Sequence, residues 1–210
     1  MSIAYRISAF NRKRKWDLFL NEIEPTRDLR VLDLGFSAKE YSQTDNYIEK
    51  HYPYPEMLTA LGIEMADEFK KRYPNVNVIS YNGDSFPFEN KSFDVCWSNA
   101  VIEHVGNRDR QLSLLTEIKR VSKRGFITTP NRYFPVELHT RTPLLHYFPN
   151  KVLDKYLTLT GKAWATGDYM HLLSISDIKG LLRDADISEY KIFRNKLMGF
   201  TLDFVVVFQT

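Results

Sequence analysis

The segment NGDSFPFENKSFDVCWSNAVIEHV, residues 82–105, contains an acidic turn, an aromatic–proline corner, a short apolar run and a polar exit. Two apolar runs upstream end in a similar way, one at Asp33-Leu34-Gly35 and the other at Glu64. In open α/β sheets, ligands bind at the carboxyl ends of the strands. Three strand ends with acidic or polar residues therefore predict an open α/β sheet that binds a nucleoside-like ligand.

The composition is typical of one globular domain. The chain has 210 residues, of which 43% are hydrophobic and 14% are aromatic, a share that suits either a ligand pocket or an ordinary core. The net charge of +3 is too small to indicate a nucleic-acid partner by itself. The single Cys96 argues against a disulfide framework and fits a reducing cytoplasm. We expect no signal peptide, no transmembrane segment and no metal site.

Hydrophobic periodicity predicts strands that alternate with helices over a single domain, residues 1–210. Expected strands are Leu29–Leu34, Leu58–Ile63, Val76–Ser80, Ser92–Ser98, Phe126–Thr129, and a final antiparallel pair at Ile187–Phe193 and Thr201–Phe208. Expected helices are Phe10–Pro25 within an N-terminal helical region 1–28, Thr44–Lys50, Met65–Arg72, Arg108–Ser122, Asn150–Thr160 and Ser174–Asp184. Gly125 is expected to stop the fourth of these helices, and Ser174 with Asp177 is expected to form a capping box.

Two segments outside the expected strands carry functional alternatives. Residues 12–15 are all basic and lie beside the apolar face of the first helix. They form either a solvated helix face or a basic patch for an anionic substrate, a lipid head group or nucleic acid. Residues 132–149 form a long segment after a strand, and such segments are usually functional. We therefore expect a lid or substrate wall within residues 132–171.

Four stretches resemble the class I S-adenosylmethionine-dependent methyltransferases, in particular the type 11 group that includes enzymes of ubiquinone and menaquinone biosynthesis. VLDLG (31–35) is similar to their first motif, and LGIE (61–64) to their second strand with its ribose-binding carboxylate. FPFENKSFDVCWSNAVIEHV (86–105) and EIKRVSKRGFITTPN (117–131) are similar to later blocks of the family. The resemblance covers about residues 10–131. It implies a Rossmann-like α/β fold: a mostly parallel seven-stranded sheet, an antiparallel C-terminal hairpin and helices on both faces.

The same resemblance implies S-adenosylmethionine as cofactor and assigns roles to individual residues. Asp33 and Gly35 would face its methionine end, and Asn99 would lie near the methyl group. Glu64 would bind the ribose hydroxyls, unless it is a surface carboxylate that caps the next helix. The adenine would contact Met65 and the turn formed by Asn82, Gly83, Asp84 and Ser85, with either Asn82 or Asp84 as the polar partner. The chain departs from the family at Ser37, Lys39 and Phe126, where the family usually has glycine.

Methyl transfer from a sulfonium is an in-line displacement, so positioning supplies most of the catalysis. A general base is needed only for a poor nucleophile. His104 and His139 are the candidate bases, although His104 could instead cap the following helix region and His139 could be an exposed loop residue. Glu103 could position an acceptor hydroxyl or pair with a cation. Candidate substrate contacts are Tyr133, Arg141 and His146.

A single domain without a nucleic-acid reading module favours a small-molecule methyl acceptor. Two other functions stay open from the sequence. The substituted glycines are compatible with a degenerate cofactor-binding or partner-binding module without activity. The basic residues 12–15 are compatible with a nucleic-acid methyltransferase.

Overall fold

A computed structural model describes residues 3–137, 142–144, 150–167 and 170–210 of the chain. The helices are α1 (Ile3–Ile23), α2 (Tyr47–His51), α3 (Asp67–Arg72), α4 (Arg108–Val121), α5 (Asn150–Leu159) and α6 (Ile175–Asp184). The strands are β1 (Val31–Leu34), β2 (Leu58–Gly62), β3 (Asn77–Ser80), β4 (Phe93–Asn99), β5 (Ser122–Pro130), β6 (Val136–Glu137), β7 (Thr142–Pro143), β8 (Tyr190–Leu197) and β9 (Phe200–Gln209). Short 3-10 turns lie at Pro55–Met57, Ile102–His104 and Ala163–Ala165.

Seven of the described strands form one sheet, in the order β3-β2-β1-β4-β5-β9-β8. β1 pairs in parallel with β2 on one side and with β4 on the other, and β2 pairs in parallel with β3. All four residues of β1 are buried, as in parallel sheets that are covered on both faces. The mostly parallel sheet with an antiparallel C-terminal pair confirms the predicted fold class.

The chain divides into two compact units. The first comprises Met1–Asn99, Glu117–Ile127 and Val207–Thr210, and the second comprises Ala100–Thr116 and Thr128–Val206. The first unit therefore contains α1 to α3 and β1 to β4 complete. The second contains α5, α6, β6, β7 and β8 complete. The assignment of residues 1–210 to a single domain stays a prediction.

An aromatic cluster forms the core of the first unit. Phe19 of α1 meets the ring of Trp97 edge-on at 5.0 Å and the ring of Phe126 edge-on at 5.3 Å. Trp97 and Phe126 stack at 5.0 Å with an interplanar angle of 6°. Phe126 stands where the family usually has glycine, and here its large side chain fills the core. α1 begins at Ile3 rather than near Phe10, because residues 3–9 contain no glycine or proline to interrupt the helix.

The prediction that Gly125 stops the preceding helix is wrong. α4 ends at Val121, where the Ser122 hydroxyl donates to the carbonyl of Ile118 at 2.7 Å, and β5 has already begun at Ser122. Gly125 lies within β5. The ring of Phe208 occupies the space that a side chain at this position would need. A Cβ atom at position 125 would lie 2.2 Å from Cζ of Phe208.

In the second unit, the predicted capping box is present. The backbone N–H of Asp177 donates to the Ser174 hydroxyl at 3.2 Å, and the backbone N–H of Ser174 donates to the Asp177 carboxylate at 2.8 Å. The following strand starts later than expected. Ile187 lies just beyond α6 and is bound to its last turn, since its N–H donates to the carbonyl of Leu182 at 2.9 Å. β8 therefore spans Tyr190–Leu197 rather than Ile187–Phe193.

Candidate functional site

The strand ends that the sequence singled out lie at one edge of the sheet in the first unit. Leu34 at the end of β1 is level with Leu61 of β2 and with Ser98 of β4. The next residue, Gly35, has φ of 94° and donates its N–H to the carbonyl of Leu61 at 2.8 Å. This left-handed conformation favours glycine and turns the chain sharply at the strand end. Because β1, β2 and β4 run in parallel, Asp33, Gly35, Glu64 and Asn99 come to the same edge.

Glu64 connects the end of β2 to the loop after β1. Its carboxylate oxygen Oε2 accepts a hydrogen bond from the backbone N–H of Ala38 at 2.6 Å. Its carbonyl accepts from the Ser80 hydroxyl at 2.8 Å. The alternative role of Glu64 as a cap of α3 is wrong, because the residue before that helix is Ala66 and no side chain caps it. The carboxylate is exposed and retains acceptor capacity for further donors.

The turn at residues 82–85 contains both alternatives for the polar adenine contact. The amide of Asn82 donates to a carboxylate oxygen of Asp84 at 2.9 Å, and the backbone N–H of Asp84 donates back to the Asn82 side chain at 3.2 Å. The two residues are therefore joined in one exposed turn. Ile63 and Met65, which flank Glu64, are 72% and 81% exposed. They offer apolar surface at the same edge.

Two residues of α4 hold the segment that follows this turn, and sequence reasoning missed both roles. The Glu117 carboxylate accepts from the backbone N–H of Phe86 at 2.7 Å. Arg120 donates to the carbonyls of Phe86 and Phe88 at 3.0 and 2.7 Å, and it pairs with Glu117 at 2.7 Å. The hydrogen bond from Arg120 holds the pKa of Glu117 below its usual range. This ion pair thus anchors the aromatic–proline corner beside the turn at residues 82–85.

The loop in which Ser37 and Lys39 replace glycines is closed by its own side chains. The Asn46 amide accepts from the backbone N–H of Ser37 at 2.9 Å and donates to the carbonyl of the same residue at 2.8 Å. It also donates to the Glu40 carboxylate at 3.0 Å. The sequence did not predict this role of Asn46, because Asn46 is one of several polar residues in a stretch rich in Tyr and Asn. The hydrogen bonds of Asn46 and Glu64 thus hold this glycine-poor loop in one conformation.

Two carboxyl groups that flank this loop in the sequence are buried. Asp33, at the end of β1, is 5% exposed, and Glu49, in α2, is 6% exposed. Burial raises the pKa of Asp33 well above its usual range, and the neighbouring charge of Glu49 raises it further. Burial also raises the pKa of Glu49. Asp33 was expected at the site from the sequence, whereas Glu49 was not.

The basic residues 12–15 do not form one uniform surface. Lys13 is exposed and pairs with Asp17 at 2.6 Å, as a solvated helix face would. Lys15 is only 6% exposed, and its Nζ lies 3.4 Å from Oδ1 of Asn99 at the end of β4. The description of Lys15 as part of a solvated face is therefore wrong. The structure brings its ammonium group to the strand end expected near the methionine part of the cofactor.

A cleft of about 910 Å³ opens between α1 and residues 40–51 in the same unit. Its walls are rich in aromatic side chains and include Tyr5, Phe10, Tyr41, Tyr47, His51 and Lys50. The ammonium group of Lys50 pairs with the Glu40 carboxylate at 2.9 Å. Sequence reasoning did not find this cleft, because its walls come from a helix and a loop with no shared motif.

Several candidates belong to the second unit. His104 lies in the 3-10 turn Ile102–His104 and is half-buried. It does not cap α4, because the Asn107 side chain accepts from the backbone N–H of Arg110 at 3.1 Å and so fills the cap position. Glu103 is fully buried and accepts from the Thr129 hydroxyl at 3.0 Å. Because Glu103 is buried, its carboxylate does not reach a methyl acceptor at the protein surface.

The predicted substrate segment is only partly described. β6 and β7 form a short antiparallel pair within it. Tyr133 precedes them, is 62% exposed and donates its backbone N–H to the side chain of Asn131 at 3.1 Å. His139, Arg141 and His146 lie outside the described residues. Among the residues described, no helix combines the length and apolar character needed to span a bilayer, and no cluster of three or more His, Cys, Asp or Glu side chains could hold a metal ion.

The order of the strands in the sheet identifies the fold. The fold is that of the class I S-adenosylmethionine-dependent methyltransferases. Residues 43–127 match the family model of the methyltransferase domain. This part of the chain is thus similar to methyltransferase domains, and the family and the fold imply S-adenosylmethionine as the cofactor. The narrower likeness to enzymes of ubiquinone biosynthesis stays a prediction.

Individual relatives agree with this class. The chain is 33% identical over 104 residues to a sarcosine/dimethylglycine N-methyltransferase of Aphanothece halophytica, a match that covers 46% of this chain and 35% of the relative. The chain thus spans about a third of that relative. An S-adenosylmethionine-dependent methyltransferase of Thermotoga maritima superposes with a TM-score of 0.61 at 14% identity, covering 99% and 91% of the two chains. One from Methanosarcina mazei superposes with a TM-score of 0.55 at 17% identity, covering 90% and 96%.

Proposed function

We propose that the protein transfers a methyl group from S-adenosylmethionine to a small-molecule acceptor. The observation that carries this proposal is the placement of Glu64, whose carboxylate lies at the sheet edge and is held by the loop after β1. A carboxylate at the end of the second strand suits the two hydroxyls of a ribose. The cofactor supplies a methyl group on a sulfonium, which is already an activated leaving group.

The residues at the sheet edge fit the parts of this cofactor. The exposed Ile63 and Met65 would cover an adenine, and the turn joined by Asn82 and Asp84 would bind its polar edge. Gly83 and Ser85 complete that turn. At the opposite end, the buried ammonium of Lys15 beside Asn99 suits the carboxylate of the methionine part. Asp33, with Gly35 after it, suits the ammonium.

The cleft between α1 and residues 40–51 is the candidate site for the acceptor. Its volume lies within the roughly 300–1,000 Å³ range of small-molecule sites, and its aromatic walls suit a planar or apolar group. His104, His139, Tyr133, Arg141 and His146 stay proposals for catalysis and acceptor binding. Since displacement at a sulfonium depends mainly on positioning, no general base is required for a nucleophilic acceptor.

A small amine is the acceptor class to test first. The support is the 33% identity to an enzyme that methylates sarcosine and dimethylglycine. Transfer of labelled methyl from S-adenosylmethionine to a panel of small amines, phenols and carboxylates would identify the class. Incorporation into phenols or carboxylates with none into amines would exclude an amine acceptor.

Calorimetry with S-adenosylmethionine and S-adenosylhomocysteine tests the proposal directly. We expect Glu64→Ala to weaken the binding of both ligands by at least tenfold, or about 1.4 kcal/mol, because the ribose hydroxyls lose a charged acceptor. Glu68→Ala is the matched control, since Glu68 is an exposed carboxylate on α3 that pairs with Lys71. It should leave the affinity unchanged.

Three results would contradict parts of this proposal. No binding at millimolar ligand would favour the degenerate module over the enzyme. An unchanged affinity in Glu64→Ala would show that the ribose assignment is wrong. Tight, salt-sensitive binding of RNA or DNA in a shift assay would favour the nucleic-acid methyltransferase.

A further inference from the structure

Asp33 and Glu49 form a buried pair of acidic side chains in the first unit. Asp33 lies at the carboxyl end of β1 and Glu49 lies in α2, and both are more than nine-tenths buried. An ionised carboxylate away from water is strongly unfavourable unless a cation or hydrogen-bond donors compensate it. Two of them side by side are more unfavourable still.

The carboxylate oxygens of Glu49 are buried, and in the described part of the chain no hydrogen bond of normal geometry reaches either of them. The backbone N–H of Glu49 itself is near enough to lower the pKa of the group, but burial outweighs it. Asp33 is close enough to form a hydrogen bond with Glu49, but two ionised carboxylates only accept. A proton on one of them creates the bond. Burial raises the pKa of both groups, which favours a proton shared by the pair in the free protein.

The surrounding groups do not remove the need for this proton. Arg12 of α1 lowers the pKa of Asp33, but its contribution is smaller than those of burial and of Glu49. Lys50 and Glu40 act on Glu49 with opposite signs, and they pair with each other at 2.9 Å. Tyr73, which follows α3, and Cys96 of β4 are also close to the pair, and burial raises the pKa of each, so both are neutral.

We propose that Asp33 and Glu49 together form an ammonium site for the methionine end of the cofactor, and that the ligand's ammonium replaces the proton that the pair shares. An ammonium group offers three donors and a positive charge, which would supply Glu49 with the partner that it lacks. Its charge favours the ionised form of both carboxylates, so the proton is released to solvent. This inference rests on the proposed function and adds a residue and a proton balance to it.

Proton release makes cofactor affinity depend on pH. Because the proton and the ammonium group compete for one site, the affinity rises with pH while the free pair holds its proton. The change approaches about tenfold per pH unit when a whole proton is released. The α-amino group of the ligand loses its own proton near pH 8, so the measurements belong at about pH 6 to 7.

Calorimetry can count the released protons. S-adenosylhomocysteine is titrated into the wild-type protein at one pH in phosphate and in imidazole buffer, whose ionisation enthalpies differ. We expect the two observed enthalpies to differ by the equivalent of up to about one proton released per ligand bound. Methylthioadenosine, which lacks the amino-acid group, should bind without releasing a proton.

The variant Glu49→Gln removes the shared proton and keeps the shape of the side chain. Its amide donates to Asp33, so we expect no proton release and an affinity that is flat between about pH 6 and 7. Glu68→Gln, on the exposed face of α3, is the matched control and should release as many protons as the wild type. Circular dichroism checks that each variant is folded.

Infrared difference spectra supply a second measurement. Addition of S-adenosylhomocysteine should remove a protonated-carboxyl band from the wild type and leave no such change in Glu49→Gln. Binding without proton release in the wild type would overturn the inference while leaving the proposed function intact, as would equal release by Glu49→Gln. If neither S-adenosylmethionine nor S-adenosylhomocysteine gave any heat of binding, the proposed function would be overturned and this inference with it.

Discussion

At the scale of single residues, two side chains that pattern analysis assigns to the surface are buried at the site. Lys15 and Glu49 belong to polar stretches, and their burial depends on strand ends far away in sequence. Asp33, Gly35 and Glu64 could be predicted, because each follows an apolar run and so falls at a strand end. A buried charge requires a specific tertiary partner, and the sequence pattern does not carry that information.

Lys15 offers a direct prediction for the cofactor carboxylate. We expect Lys15→Met to weaken the binding of S-adenosylhomocysteine by about 10- to 100-fold, the equivalent of a lost charge-assisted hydrogen bond. Methylthioadenosine, which has no carboxylate, should bind the variant and the wild type equally in calorimetry. Lys13→Met changes an exposed lysine of the same helix and should leave both affinities unchanged. Equal losses for the two ligands would mean that Lys15 acts on the fold rather than on the carboxylate.

The buried carboxyl pair also predicts how stability depends on pH. Because the folded-state pKa values of Asp33 and Glu49 are raised, the folded protein holds a proton that the unfolded chain has lost. The stability that this proton provides is complete below about pH 4 and is lost as the pH rises through the folded-state pKa.

Urea unfolding at a series of pH values measures this effect. The free energy of unfolding of the wild type, relative to Glu49→Gln, should fall as the pH rises over a range that starts at about pH 5, above the ordinary carboxyl pKa values. The comparison with the variant cancels the opposite trend from Glu117 and Asp94, whose pKa values are lowered by their ion pairs. A constant difference across that range would show that the pair holds no proton.

At the scale of elements, the order of strands and helices could largely be predicted, while some boundaries could not. Apolar runs placed β1 to β4 within a residue or two of their ends, because each buried strand has to be apolar. The role of Gly125 and the start of β5 were wrong, because a glycine after a basic helical turn resembles a helix stop. In the structure, the glycine at 125 serves close packing against Phe208 instead.

Gly125→Ala tests that packing. The new methyl group would overlap the ring of Phe208, so we expect the variant to lose about 1–3 kcal/mol of unfolding free energy in urea. The same change at Gly180 should have the opposite sign, with a gain of up to about 1 kcal/mol. Gly180 lies within α6, and a methyl group there meets only the flexible end of Arg108 at 3.0 Å. A neutral result at 125 would mean that Phe208 moves aside freely.

At the scale of the whole molecule, the residues assigned to the cofactor all belong to one compact unit. They run from Asp33 to Asn99, together with Lys15 of α1. Binding at one unit still stabilises the folded chain, because the unfolded chain has no assembled site. Ligand-dependent stability therefore tests the assignment without an assay for the acceptor.

We expect S-adenosylhomocysteine at about 100 times its Kd to raise the free energy of unfolding by about 2.7 kcal/mol. Urea unfolding with and without the ligand measures the change. At the same ligand concentration, Glu64→Ala should gain about 1.3 kcal/mol less than the wild type if its affinity is tenfold weaker. Equal gains for the two proteins would contradict the role of Glu64.

The closed loop after β1 has a consequence for competition between metabolites. The N–H groups of Gly35, Ser37 and Ala38 already donate to Leu61, Asn46 and Glu64. A polyphosphate needs several unoccupied N–H groups to receive its oxygens, and the Glu64 carboxylate would repel it. Adenine nucleotides share the adenosine part of S-adenosylmethionine and are far more abundant in a cell. Because these donors are occupied, we expect ATP to compete poorly with S-adenosylmethionine for this site.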